Sequence, residues 1–179
     1  NSARYESLGV LQETLIGADI FHDRVATRDD LNLANDSTPP GERLVYGAFV
    51  AQTAERGWFE ATGAVRFDGY HLTGEDSYSG TDVDKTGTGL SPKVTLGITP
   101  VDAFTLYASY AQAYRSPSLT ETLIQGFHPP PVTFAFLPNP NLDPETAHNI
   151  EAGFNLRLDG LVTPDDRLGL KTAIFRNRI

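Results

Sequence analysis

The chain has 179 residues, of which 40% are hydrophobic, and its formal net charge is −9. The acidic balance argues against nucleic acid as a partner, because phosphate binding needs a basic face. The absence of cysteine excludes a disulfide framework, cysteine-ligated zinc and thiol catalysis. No run of 18 apolar residues occurs, so no membrane-spanning helix is predicted. The first residues lack the apolar region of a signal peptide, which was either removed or lies outside a partial chain.

Alternation of apolar and polar residues with a period of two predicts β-strands along most of the chain. Residues 1–6 are predicted to end an earlier strand, with a turn at 7–9. The segment 43–54 is β-like, but its two faces cannot be assigned. The other alternating segments are 12–22, 59–70, 93–99, 104–111, 149–158 and 167–174. These strands reach roughly 10–13 residues, which fits a tilted strand that crosses an outer membrane better than a strand of a soluble sandwich.

The predicted connections alternate in length. Those at 24–42, 72–88 and 115–145 are long, and those at 55–57, 100–102 and 159–165 are short. Short periplasmic turns and long extracellular loops are typical of outer-membrane barrels. Aromatic residues near the strand ends would form the interface girdles: Trp58, Phe59, Tyr70, Phe104 and Tyr114. Because the chain begins and ends in mid-strand, we expect residues 1–179 to be a partial transmembrane barrel domain.

The predicted loop at 115–145 carries the most unusual residues. It contains His128, and six of the 12 prolines of the chain fall between positions 129 and 144. Prolines stiffen a loop, and loops of this length that are not disordered usually have a function. The sequence therefore predicts a preformed binding loop here.

Residues 91–157 resemble the TonB-dependent receptor family, and the resemblance extends over nearly the whole chain. The matching motifs are Leu106-Tyr107-Ala108-Ser109-Tyr110, Tyr114-Arg115-Ser116-Pro117 followed by Glu121, and Asn139-Pro140-Asn141-Leu142-Asp143-Pro144-Glu145. The resemblance implies an all-β fold, a roughly 22-stranded antiparallel transmembrane β-barrel whose plug domain is absent from this chain. It also implies a bacterial outer-membrane location, contact with lipid, and energy from an inner-membrane TonB complex acting through the plug.

The two boxes that flank the long loop resemble the motifs that bracket an axial histidine in haem receptors. His128 is the only histidine between them. The resemblance therefore implies His128 as the axial ligand of haem iron, with haem as a transported ligand, free or from a carrier protein. Neutral imidazole suits haem iron, and aromatic side chains would pack on the macrocycle: Phe127, Phe134 and Phe136. The first box departs from the pattern, with Tyr114 in place of Phe and Ser116 in place of Ala.

Two alternatives stay open at this point. A barrel of the same family could import a ferric siderophore, in which case His128 is incidental. A soluble or surface β-rich domain could bind a ligand without transport. Neither catalytic motifs nor phosphate-binding loops occur, so no enzyme is predicted.

The remaining histidines, Tyr114 and the acidic segment are not predicted to bind iron or another metal. His22 and His71 are predicted at the outer strand ends, and His148 is predicted to be structural. Tyr114 is expected in the girdle rather than as a second iron ligand. The acidic segment 75–84 lacks the spacing of a calcium loop and is predicted to be solvated.

Overall fold

The computed structural model describes residues 1–26, 40–76, 78–127, 131 and 134–179. The elements in chain order are β1 (Ser2–Ser7), β2 (Val10–Val25), β3 (Gly41–Arg56), β4 (Phe59–Asp76), β5 (Thr81–Val101), β6 (Phe104–Arg115), α1 (Leu119–Leu123), β7 (Gly126–Phe127), β8 (Ala135–Phe136), β9 (Glu145–Asp159) and β10 (Arg167–Arg178). Eight strands form one antiparallel sheet in the order β1-β2-β3-β4-β5-β6-β9-β10. The prediction of an all-β, antiparallel architecture is confirmed. No helix in the described part of the chain is long and apolar enough to cross a membrane.

The predicted long connection at 72–88 is wrong. Strand β4 continues to Asp76 and β5 begins at Thr81, with paired residues from Leu72 opposite Lys85 to Asp76 opposite Thr81. The outer-face side chains here are polar, and on the inner face Leu72 and Val83 are interspersed with polar residues and glycine, so the sequence shows no sustained hydrophobic period of two. The Asp76 carboxylate stabilises the tight turn by accepting the backbone N–H of Tyr78 at 3.0 Å. The acidic segment is thus mostly strand, and the long connections between main-sheet strands are those after β2 and β6.

The register assigns every strand residue to one of two faces, because residues directly opposite each other share a face. We call the face that packs against α1 the inner face and the opposite one the outer face. The outer face carries exposed apolar side chains from all eight strands: Tyr5, Ile16, Ile20, Val50, Phe59, Val65, Phe67, Leu90, Val94, Leu96, Ile98, Leu106, Ile150, Leu170 and Ile174. An apolar surface of this extent is typical of a lipid-facing barrel wall.

The inner face carries charged side chains that pair with one another. Arg66 of β4 lies between two carboxylates, with Nη1 2.8 Å from Asp19 Oδ2 and Nε 2.8 Å from Asp68 Oδ1. Gly47 of β3 leaves room for this guanidinium, because a Cβ there would lie 2.3 Å from Arg66 Nη2. The register also settles the segment 43–54, whose odd-numbered residues belong to the inner face.

Candidate functional site: an anchored loop on the inner face

The connection between β6 and β9 begins with a helix that the sequence reasoning missed. Ser118 caps α1: the Glu121 backbone N–H donates to Ser118 Oγ at 3.2 Å, and the Ser118 N–H donates to Glu121 Oε2 at 3.1 Å. This reciprocal capping box satisfies two backbone donors that a helix start leaves free. The Ser-x-x-Glu spacing at 118–121 was a signal that could have predicted the helix.

Helix α1 is held on the inner face by buried apolar contacts. Leu123 and Thr122 are fully buried and Leu119 is 4% exposed. The two leucines pack in one cluster with inner-face residues of β4 and β5: Tyr70, Leu72 and Val83. Two glycines directly opposite each other, Gly41 and Gly74, admit the leucines. A Cβ at Gly74 would lie 2.4 Å from Leu123 Cδ1, so the close approach needs glycine there.

Tyr114, predicted to be a girdle aromatic, lies on the inner face instead. Its ring covers Gly89 of β5, where a Cβ would come within 2.2 Å of the Tyr114 Cδ2 atom. Tyr114 also packs against the buried cluster beneath α1. The alternation of burial along β6 slips by one residue at Gln112, which turns Tyr114 inward. The predicted girdle position, which was based on the place of Tyr114 near a strand end, is therefore wrong.

Arg115 joins the two motif boxes. Its guanidinium contacts both carboxylate oxygens of Glu121, at 3.1 and 2.8 Å, and its Nε donates to Glu145 Oε2 at 2.9 Å. One side chain thus connects the end of β6, the first turn of α1 and the start of β9. Arg115, followed by the Ser118 backbone N–H, lowers the pKa of Glu121 to about 2. The carboxylate therefore stays ionised throughout the neutral range.

Backbone groups of both boxes form hydrogen bonds with β3, β5 and α1. The Pro117 carbonyl accepts a hydrogen bond from Arg43 Nη1 at 3.1 Å. The Asn139 N–H donates to the Thr122 carbonyl at 2.8 Å. The carbonyl of Leu142 accepts from Lys85 Nζ. The two boxes predicted as motifs are therefore brought together on the inner face.

Pro140 and Asn141 of the second box border a cavity of about 450 Å³ beside the β4–β5 turn. The rest of its lining comes from β4, β5 and the turn between them and contains three carboxylates and one lysine: Asp76, Ser79, Thr81, Asp82, Val83, Asp84 and Lys85. The loop thus meets the end of the neighbouring hairpin as well as the sheet.

The two anchored boxes flank, in the sequence, the segment that carries the predicted haem-binding residues. Strands β7 and β8 pair through Gly126 opposite Phe136 and Phe127 opposite Ala135. The Phe134 ring is 48% exposed and meets the Phe136 ring edge-on, with centroids 5.2 Å apart. His128 lies outside the described residues, and its role stays a prediction.

The other three histidines each have a neighbour on the outer face. His71 Nε2 is 2.9 Å from Asp84 Oδ1, and His22 Nε2 is 3.5 Å from Glu42 Oε2. His148 stacks on Tyr110 and its Nδ1 is 3.0 Å from the tyrosine hydroxyl. Within the described ranges no group of three or more potential metal ligands occurs.

Several known proteins are similar to this chain. The hemin receptor of Yersinia pestis is 37% identical over 117 residues, covering 62% of this chain and 17% of the receptor. The heme/hemopexin utilization protein C of a Haemophilus influenzae strain is 36% identical over 124 residues, covering 65% of this chain and 16% of that protein. The Serratia marcescens hemophore receptor HasR, solved as a double mutant with its hemophore HasA and heme, superposes with a TM-score of 0.88. That structural match has 29% identity and covers 99% of this chain and 31% of HasR.

The chain therefore spans about a sixth of the length of the curated relatives that it matches. A family model described as "TonB dependent receptor-like, beta-barrel" matches residues 3–179. The polar inner face, the apolar outer face and the long antiparallel strands agree with that description. The chain belongs to the β-barrel family of TonB-dependent receptors.

Proposed function

We propose that the whole receptor binds haem at the end of the barrel that carries the long connections and imports it with TonB-derived energy. TonB-dependent receptors are outer-membrane proteins, and on this proposal residues 1–179 supply part of the barrel and the connection within 115–145 is extracellular. The observation that carries the proposal is the loop anchored around Arg115, in a chain whose relatives are named hemin and hemophore receptors.

Anchoring matters because a mobile loop loses conformational entropy when it binds a ligand. Fixing the backbone of one residue costs roughly 1–2 kcal/mol. Here the capping box, the buried leucines and the Arg115 contacts already hold both ends of the segment that carries residues 126–136. Because the two ends of the segment are already held, less conformational entropy would be lost there on binding, which favours affinity.

We propose His128 as the axial ligand of the haem iron. Neutral imidazole is a common proximal ligand of haem. Phe127, Phe134 and Phe136 would pack on the macrocycle, and the 48% exposure of Phe134 leaves apolar surface for such a contact. The haem would be cargo, so the site must also release it. Binding alone moves nothing across a membrane, and we assign the release step to TonB acting through the plug.

The test is a haem titration of the whole receptor purified in detergent. The wild-type protein should shift the Soret band, and His128→Ala should abolish that shift or weaken binding by about tenfold or more. His148→Ala is the matched control, since that ring stacks on Tyr110 on the outer face. Identical titrations of wild type and His128→Ala would contradict iron ligation by His128.

The cargo is tested separately by uptake. Cells that depend on the receptor should grow with haem as the iron source and should lose growth with His128→Ala. Unaltered growth on haem, or dependence on the receptor only with a ferric siderophore, would favour the alternative cargo. A receptor that is monodisperse without detergent would contradict the membrane assignment itself.

A further inference from the structure

Arg43 of β3 lies between the end of β2 and the helix that begins the long connection after β6. The register places Arg43 opposite Asp23 of β2 and opposite Leu72 of β4, a member of the buried cluster beneath α1. Its side chain is only 17% exposed, although it carries a full positive charge. Burial of a charged group costs free energy unless the group is paired, so the contacts of this arginine matter more than the space that it fills.

The two arms of the Arg43 guanidinium bind two different elements. Nη1 donates to the Pro117 carbonyl at 3.1 Å, and Nη2 donates to Asp23 Oδ2 at 3.3 Å. Pro117 directly precedes Ser118, the residue that caps α1. In the part of the chain that the structure describes, the buried Nε has no hydrogen-bond partner. The planar fork thus connects the end of β2 to the start of α1, a geometry that the single nitrogen of a lysine does not provide.

The two contacts depend on each other because they share one rigid group. If α1 leaves the sheet, Arg43 loses the Pro117 carbonyl, and its charge keeps only the Asp23 carboxylate. If the Asp23 carboxylate is removed, the same charge keeps only the carbonyl. A buried charge that has fewer partners is costlier to hold in place. Each loss therefore weakens the remaining contact, and coupling of this kind acts equally in both directions.

We propose that Arg43 is a positioning residue for the cargo loop and couples the docking of α1 to the end of β2 at Asp23. Cargo bound between the two boxes favours the docked state of α1, because a ligand shifts an equilibrium toward the state that it binds better. Arg43 then transmits this preference to Asp23. The cargo step rests on the proposed function, whereas the coupling between Asp23 and α1 does not.

The experiment measures hydrogen exchange in the whole receptor in detergent, with and without haem. One readout is the exchange of the helix N–H groups of Thr122 and Ile124, which donate to carbonyls at the start of α1. The other readout is the exchange of residues 22–25 at the end of β2. The first reports the docking of α1, and the second reports the pairing of β2 with β3.

The decisive variant is Asp23→Ala, because Asp23 is linked to α1 through Arg43. Arg43→Gln removes the link itself, and the double variant completes the cycle. The matched control is Arg24→Gln, which removes an arginine charge next to Asp23 but on the outer face, where Arg24 Nε lies 3.2 Å from Glu42 Oε1. Circular dichroism shows whether each variant is folded.

We expect Arg43→Gln to speed the exchange of α1 by about tenfold or more, as for the loss of a hydrogen bond to a charged group. Asp23→Ala should speed the exchange of α1 by about fivefold or more. It should have no further effect in the Arg43→Gln background, and Arg24→Gln should match wild type. Unchanged α1 exchange in Asp23→Ala would overturn the coupling, and so would purely additive effects in the double variant.

The comparison with haem separates the coupling from the cargo. Added haem should slow the exchange of residues 22–25 in wild type but not in Arg43→Gln. Equal slowing in both proteins would overturn the transmission by Arg43. A wild type that does not bind haem would contradict the proposed function, whereas the exchange of α1 without haem decides the coupling on its own.

Discussion

The docking of α1 on the paired glycines gives the sharpest test of how the loop is positioned. Leu123 is fully buried, and its Cδ1 atom would lie 2.4 Å from a Cβ at Gly74. Leu123→Ala removes this contact and leaves a cavity, which typically costs about 2–5 kcal/mol. Gly74→Ala overfills the same space, which costs about 1–3 kcal/mol. Either change alone should therefore raise the fraction of molecules in which α1 is undocked from the sheet.

The size of the effect follows from what holds the helix. Burial of Leu119 and Leu123 contributes roughly 1.5–3 kcal/mol for each side chain. A five-residue helix has no stability of its own, because helices shorter than about 12 residues are marginal in water. Loss of ~2 kcal/mol corresponds to about a 30-fold rise in the undocked population. The long sheet should stay intact, since the strand ladders do not depend on α1.

The two substitutions should compensate each other when combined. In the double variant the Leu123 Cδ1 atom is gone, and the new methyl group at Gly74 occupies part of the vacated space. The next nearest atoms to that methyl group are the Pro40 carbonyl oxygen, 3.2 Å away, and Gly41 Cα, 3.6 Å away. The double-mutant cycle should show a favourable coupling of about 1 kcal/mol or more.

The assay is hydrogen exchange in the whole receptor, followed at the backbone N–H groups of Thr122 and Ile124. These groups donate to Ser118 and Thr120 within the helix, at 3.1 and 2.9 Å. Each single variant should speed their exchange, by about 30-fold for a loss of ~2 kcal/mol, and the double variant should exchange more slowly than the two effects together predict. Gly63→Ala is the control, because a Cβ there meets nothing within 4 Å. Purely additive effects would refute the direct contact between Leu123 and Gly74.

Three further predictions concern charged groups. Arg115→Gln should weaken haem affinity and raise α1 exchange several-fold, and unchanged exchange would show that Arg115 does not position the helix. Because the pKa of Glu121 falls from an ordinary value of 4.5 to about 2, its stabilising contribution is fully present above pH ~4.5 and is lost as pH falls toward ~2. An acid titration of α1 exchange should show this, whereas loss already above pH 5 would contradict it. Arg66→Met leaves Asp19 and Asp68 without their ion-pair partner. It should lower the free energy of unfolding by about 1–3 kcal/mol and with it the thermal unfolding temperature. An unchanged unfolding temperature would mean that the contacts of Arg66 with Asp19 and Asp68 are not stabilising.

The sequence by itself determined the repeating part of this protein. A strand places alternate side chains on opposite faces, so local composition alone predicted that Val65 and Phe67 share an apolar face and Arg66 the other. Turn-forming residues also predicted short connections at 55–57 and 100–102, and the structure has the turns at 57–58 and 102–103. The motif boxes around Arg115 and Asn139 could also be recognised in the sequence, because each is a contiguous stretch of residues.

Only the tertiary structure decided how the loop is held. Arg43 and Pro117 are 74 positions apart, and nothing local to either residue indicates their contact. Tyr114 was expected in the girdle because it lies near a strand end, but the alternation of burial along β6 breaks at Gln112 and the Tyr114 side chain packs on the inner face. The predicted loop at 72–88 failed because pairing between β4 and β5 continues where the outer face is polar and no sustained hydrophobic alternation marks the strands. Period and motif are local properties, whereas packing depends on which distant residues the register brings together.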